Sequence, residues 1–201
     1  MLSSKLMKIL FSVILVLLMI SVVSVYADDV TDSIDEALDA YKEGEFSAAV
    51  ESLNYASQLI NQKKGASLSS LLPEPLDGWS AKSSNSKAMG AAMFGGGITA
   101  ERKYVKGKNT VSIDIVADSP MLQSMMMMFT NPMYATSDGG KLEKIKRQKA
   151  IVKFNPETNR GDIKIVVAKR FLVTVKGNRT TLEDLKAYAN AIDYKKLKSL
   201  E

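Results

Sequence analysis

Apolar positions along the chain follow two periods, and the change comes near residue 98. Between residues 30 and 63, Ile34, Leu38 and Tyr41 recur at helical spacing, as do Phe46, Val50, Leu53 and Ile60. Gly44 is expected to divide this run into two helices and Gly65 to end the second. A short helical turn over residues 67–72 and a linker carrying Pro73 and Pro75 lead to Leu76-Asp77-Gly78-Trp79, where the single tryptophan is expected to anchor a core or its rim. From Ile98 the period is two. Ile98, Ala100, Arg102 and Tyr104 alternate, residues 106–109 turn, and Val111, Ile113 and Ile115 complete a hairpin with one buried face. Helical spacing returns over residues 119–130, between a cap at Asp118 or Ser119 with Pro120 in the first turn and a stop at Asn131-Pro132. After a turn at residues 137–140, strands are expected around Leu142–Lys146, Ala150–Phe154, Ile163–Val167 and Phe171–Val175. Thr181 and Asp184 open a last helix in capping-box fashion, with Leu182, Leu185, Tyr188, Ala189 and Ile192 as its apolar stripe and Leu197 as an extension.

This order predicts an α+β protein, an antiparallel sheet with packed helices, preceded by an N-terminal helical hairpin. The division is a leader over 1–27, the hairpin over 28–66, and the α+β domain over 67–201 with its helix at 119–130.

The leader changes where the protein is placed. Lys5 and Lys8 precede an apolar run from Ile9 to Val23, and Val25 and Ala27 supply small residues before Asp28. That is the pattern of a secretory signal peptide cleaved after Ala27. The expected address is the periplasm of a Gram-negative bacterium, with secretion beyond it as an alternative. If the leader stays, the protein is anchored in the inner membrane, faces the periplasm and touches the bilayer. Cleavage takes the net charge from +5 to 25 − 22 = +3, too mild and too dispersed to argue for nucleic acid. There is no Cys, so neither a disulfide nor a lipid-modified N-terminal cysteine is available.

Candidate chemistry is concentrated in the methionines. Eight of the eleven lie between Met89 and Met133. On a helical projection Met128, Met121, Met125, Phe129, Leu122 and Met126 form one arc, while Met127 falls among Gln123, Ser124 and Thr130. The stretch reads as a core helix filled by flexible thioethers, or as an adaptable surface for an apolar ligand or protein partner. In the second reading the contact residues are Met121, Met125, Met127, Met128 and Phe129, with Met89, Met93 and Phe94 of the glycine-rich segment 88–97 beside them. A third reading takes Met121, Met125 and Met128 as soft ligands for Cu(I).

Longer stretches carry three likenesses. Tyr41, Gly44, Phe46, Ala49, Leu53 and Ala56 within ALDAYKEGEFSAAVESLNYASQLI resemble a tetratricopeptide hairpin, which implies close helix contact through alanines and a glycine turn. It occurs once, whereas such repeats need about three to bury a core, so the hairpin must pack on the rest of the chain or on a partner. Residues 72–198, through PEPLDGW, MFGGG, DSPMLQSMMMMF, KAIVKF and RFLVTV, resemble a family of small, uncharacterised exported proteins of Gram-negative bacteria. That resemblance implies an envelope address and brings no activity. The order of strands and the closing helix also resemble the Mog1/PsbP-like α/β fold of exported binding proteins.

Without His or Cys the chain lacks the commonest general base, the thiol nucleophile and the usual zinc ligands. Ser84-Asn85-Ser86-Lys87 has Ser-x-x-Lys spacing but reads as a solvated polar loop. Asp118 is expected as a cap and Asp114 on the solvent side of a strand. The basic run Lys144, Lys146, Arg147, Lys149 is expected as a solvated face. The leading expectation is a non-enzymatic binding module with no cofactor, with a Cu(I) protein and a hydrolase of unspecified type as alternatives.

Overall fold

Helix α1, Asp29–Glu43, starts where the sequence offers a cap: the Asp28 carboxylate accepts the Val30 N–H at 2.7 Å. It stops at Gly44, which takes the left-handed conformation at φ 82° that a Cβ disfavours. There the Glu45 N–H donates to Ala40 O at 2.9 Å and the Gly44 N–H to Tyr41 O at 3.2 Å, satisfying the last carbonyls of the helix. Helix α2 follows at once as Phe46–Ser69. The computed structural model describes residues 28–85, 97–131, 133, 136 and 139–200, the side chains of residues 83–85, Met121, Ser124, Met127 and Met128 apart. The expected signal peptide, and Met89, Met93 and Phe94, lie outside the described residues.

Gly65 does not end the second helix. It sits buried within α2, which runs on to Ser69 and absorbs the turn expected from residue 67. A single glycine costs a helix only about 1 kcal/mol, and buried Leu68 just beyond it anchors this end in a hydrophobic core. The chain divides into two compact units between Ala56 and Ser57, inside α2.

The first unit, in its described part, is the hairpin. Its buried residues are small: Ser33 and Ala37 on α1, Ala49 and Ala56 on α2.

The second unit is a seven-stranded, wholly antiparallel sheet with two core layers. Its strands are β1 (Ser80–Asn85), β2 (Ile98–Lys106), β3 (Asn109–Ala117), β4 (Lys141–Ile145), β5 (Gln148–Asn155), β6 (Arg160–Val167) and β7 (Phe171–Asn178). They lie in the order β1-β2-β3-β7-β6-β5-β4. Edge strand β1, SAKSSN, has no apolar alternation, and it contains Ser84 and Asn85, which were expected in a loop. The inward residues Val111, Ile113, Ile115, Ile163, Ile165, Val173 and Val175 form one face of the sheet and are fully buried. Helices α4 (Leu182–Ala191) and α5 (Tyr194–Ser199) cover that face with Leu185, Tyr188, Ile192 and Leu197. Each such side chain contributes about 1.5–3 kcal/mol by leaving water. The capping box expected at Thr181 is formed, Asp184 N–H donating to Thr181 Oγ1 at 3.1 Å and Thr181 N–H to Asp184 Oδ2 at 3.3 Å.

The linker after α2 is tied to this core by polar contacts. Tyr104 Oη donates to Pro73 O at 2.6 Å, Arg102 Nη1 donates to the same carbonyl at 3.1 Å, and the Leu76 N–H donates to Tyr188 Oη at 3.4 Å. Trp79 meets the Tyr188 ring edge on at 5.3 Å, and Tyr104 lies 4.4 Å from Tyr188 on the same centroid measure. Desolvation raises the phenols of Tyr104 and Tyr194 and pushes that of Tyr188 up to about 12.

Candidate interaction surfaces

Helix α3, Met121–Thr130, covers one end of the opposite sheet face. Leu122 and Phe129 pack against Val116, Ile151 and Leu172, with Met125 and Val166 half-buried at the margin. Phe129 is only 4% exposed, so it is withdrawn from any contact surface and belongs to the core. Met126 is half-buried, and Gln123 and Thr130 are exposed. This phase agrees with the apolar arc read from helical spacing. Met121, Met127 and Met128 lie on the helix, but their side chains are outside the description.

Asp118 does something other than cap α3. It stands in the left-handed region at φ 53°, and its carboxylate accepts Arg170 Nε at 3.0 Å and Arg170 Nη2 at 3.1 Å. Arg170 also donates through Nη1 to Leu200 O at 2.9 Å, joining the start of α3 to the C-terminal end of the chain. The hydrogen bonds from Arg170 hold the Asp118 carboxyl below its ordinary range.

The rest of that sheet face is polar. Asp114 is about a quarter exposed and forms an ion pair with Lys176 at 3.3 Å, without hydrogen-bond alignment. Lys164 and Asp162 approach to 3.6 Å. An open cleft of about 770 Å³ at one end is lined by residues including Lys153, Arg160, Asp162, Lys164 and Lys176.

The basic run at residues 144–149 is exposed, as expected, and folds over a tight turn. Lys146 and Arg147 form the β4–β5 turn with φ of 44° and 67°. They line a cleft of about 570 Å³ with Asp193, Tyr194, Lys195 and Lys198. Lys146 Nζ donates to Ile192 O at 3.3 Å, and Asp193 is held low first by the Lys196 N–H that its carboxylate accepts.

Among the described residues, the largest group of exposed apolar side chains is on the N-terminal hairpin. Ile34, Leu38 and Tyr41 of α1, and Phe46, Val50, Leu53 and Tyr55 of α2, are each at least 42% exposed. Tyr41 and Phe46 stand more than 60% in solvent, their rings edge to face at 5.7 Å across the Gly44 turn. Ile34, Leu38 and Tyr41 lie roughly 90° around α1 from the buried Ser33–Ala37 edge, and Phe46, Val50 and Leu53 bear a similar relation to Ala49 and Ala56. The Tyr41–Phe46 contact joins the stripe of α1 to that of α2 across the turn. The helical spacing of these residues and the alanines at the close contact were legible in sequence; that the large apolar side chains would be left in solvent was not.

Among the described residues no helix is long and apolar enough to cross a membrane. No family model, curated protein or solved structure matches the chain.

Proposed function

We propose that the protein is a non-enzymatic interaction module of the cell envelope that meets a protein partner through the apolar face of its N-terminal hairpin. The observation that carries this reading is the exposure of Leu38, Tyr41, Phe46, Val50 and Leu53, each at half or more, on one small unit. Phe and Tyr side chains present about 150–250 Å² each, so Tyr41 and Phe46 alone leave a large part of that area in water. Exposed apolar side chains gathered in this way are the kind of surface that marks a contact site. The buried places of Leu122 and Phe129 shift the weight of the reading from α3 to the hairpin. The complete lack of His and Cys supports a role without catalysis. The envelope address rests on the leader pattern at residues 1–27.

A photo-crosslinking amino acid placed at Leu53, at Met125 and at Lys164 in the exported protein tests this in cells. The expected result is a discrete heterologous adduct from position 53 and little or none from the other two. Adducts from 125 or 164 without one from 53 would remove the hairpin as the contact surface.

A further inference from the structure

The mild overall charge conceals a sharp division. Residues 28–56 carry nine acidic side chains and one lysine, 1 − 9 = −8, whereas residues 57–201 carry 24 basic and 13 acidic ones, 24 − 13 = +11. The division between compact units falls at the same place, after Ala56. The exposed apolar face of the hairpin is therefore set in a strongly negative unit. Asp35 directly follows Ile34 and Glu51 directly follows Val50, and both are exposed. The far side of α1 adds Asp32, Glu36, Asp39 and Glu43, with Lys42 paired to Asp39 at 2.8 Å.

This charge selects among possible occupants. A second hairpin would bring −8 against −8, and like charges across an apolar contact oppose it. An anionic lipid surface is opposed for the same reason. On the second unit of another copy the charge is favourable, but the described large apolar side chains exposed there are only Ile60, Met133 and Leu142, with no stripe to match. What fits is a segment with an apolar stripe and lysines or arginines beside it. Its stripe would lie along Leu38, Tyr41, Phe46 and Leu53, and its cations would face Asp35 and Glu51.

We infer that the hairpin face is a docking site for a basic amphipathic helix of a partner protein. The inference rests on the reading of this face as the contact surface and adds the chemistry of what it takes. The apolar contact supplies affinity and the charge supplies selection and rate of encounter.

The test titrates the full-length protein into three fluorescent peptides. One has Leu and Lys at helical amphipathic spacing, one has Leu and Glu at the same positions, and one has Ser and Lys with the same charge as the first. The Leu/Lys peptide should bind, and the other two should bind about tenfold more weakly or worse. Its affinity should fall as salt rises from about 0.01 M to about 1 M, where the screening length shrinks from roughly 30 Å to 3 Å. Leu38→Ser/Leu53→Ser should lose about tenfold in affinity. Asp35→Lys/Glu51→Lys, which leaves the apolar stripe whole, should weaken the Leu/Lys peptide and strengthen the Leu/Glu one. Circular dichroism should show both variants folded. Equal binding of Leu/Lys and Ser/Lys peptides would overturn the inference, because charge alone would explain it. Leu/Glu binding that depends on Leu38 and Leu53 would overturn the charge selection while leaving the face as a contact surface. Peptide binding indifferent to Leu38 and Leu53 would remove both. A wild-type dimer that Leu38→Ser/Leu53→Ser dissolves would make the occupant a second copy and also overturn the inference.

Discussion

The Tyr41 ring meets the Phe46 ring edge to face, 5.7 Å between centroids and 62° between planes, with both side chains mostly in solvent. The pair joins the stripes of α1 and α2 across Gly44. Aromatic pairs of this geometry contribute about 0.5–1.5 kcal/mol beyond area burial, so the contact stiffens the turn while leaving most of both rings open. An exposed aromatic pair at the turn end of an apolar face offers a large anchor for a partner's apolar side chains.

The small residues, not the large ones, should govern the hairpin's stability. Ala37→Leu and Ala49→Leu add bulk at buried edges and should cost about 1–3 kcal/mol. Leu53→Ser should change stability by no more than about 0.5 kcal/mol, as for a surface site. Urea unfolding of the three variants, followed by helical signal, checks the order. A Leu53→Ser loss as large as that of Ala37→Leu would place Leu53 in a core.

Phe129 is the test of α3 as a packing helix. Phe129→Ala should cost about 3 kcal/mol or more, because it empties the contact with Val116, Ile151 and Leu172. Gln123→Ala on the exposed side should be within about 0.5 kcal/mol of wild type. Thermal denaturation of both variants measures the difference.

Much of the sheet is legible in the sequence. The alternation of Val111, Ile113 and Ile115, and of Ile163, Ile165 and Val167, places these residues on one face, and Thr181 and Asp184 mark the start of α4. Edge strand β1 escaped because SAKSSN has no apolar face to alternate; its strand character comes from pairing with β2. Gly65 misled because propensity is local, while Leu68 and Leu72 secure the C-terminal end of α2 and the turn after it through tertiary packing. The docking face was half legible. Spacing gives a stripe on each helix, but spacing alone does not say whether the stripe or the adjacent alanines are buried. The charge division was in the sequence throughout and vanished only when summed over the whole chain.

Asp118 should make stability depend on acid. Its folded carboxyl titrates below the ordinary carboxylate value of about 4. The stabilisation is therefore present above that value and lost as pH falls through the lower folded value. Asp118→Asn keeps a side chain that tolerates the left-handed backbone at φ 53° and removes the charge. The variant should be less stable at neutral pH and should lose less on acidification. A melting curve against pH that runs parallel to wild type would contradict the role of Arg170.

The absence of cysteine allows the openness of the docking face to be measured directly. The most direct measurement is the rate of thiol modification of Leu53→Cys in the folded full-length protein, set against Val173→Cys in the core and against each variant unfolded in denaturant. An open face predicts that Leu53→Cys reacts at nearly its unfolded rate, that Val173→Cys is strongly protected, and that the Leu/Lys peptide slows the first without affecting the second. Protection of Leu53→Cys comparable to that of Val173→Cys in the free protein would mean the face is already covered, and would contradict the account.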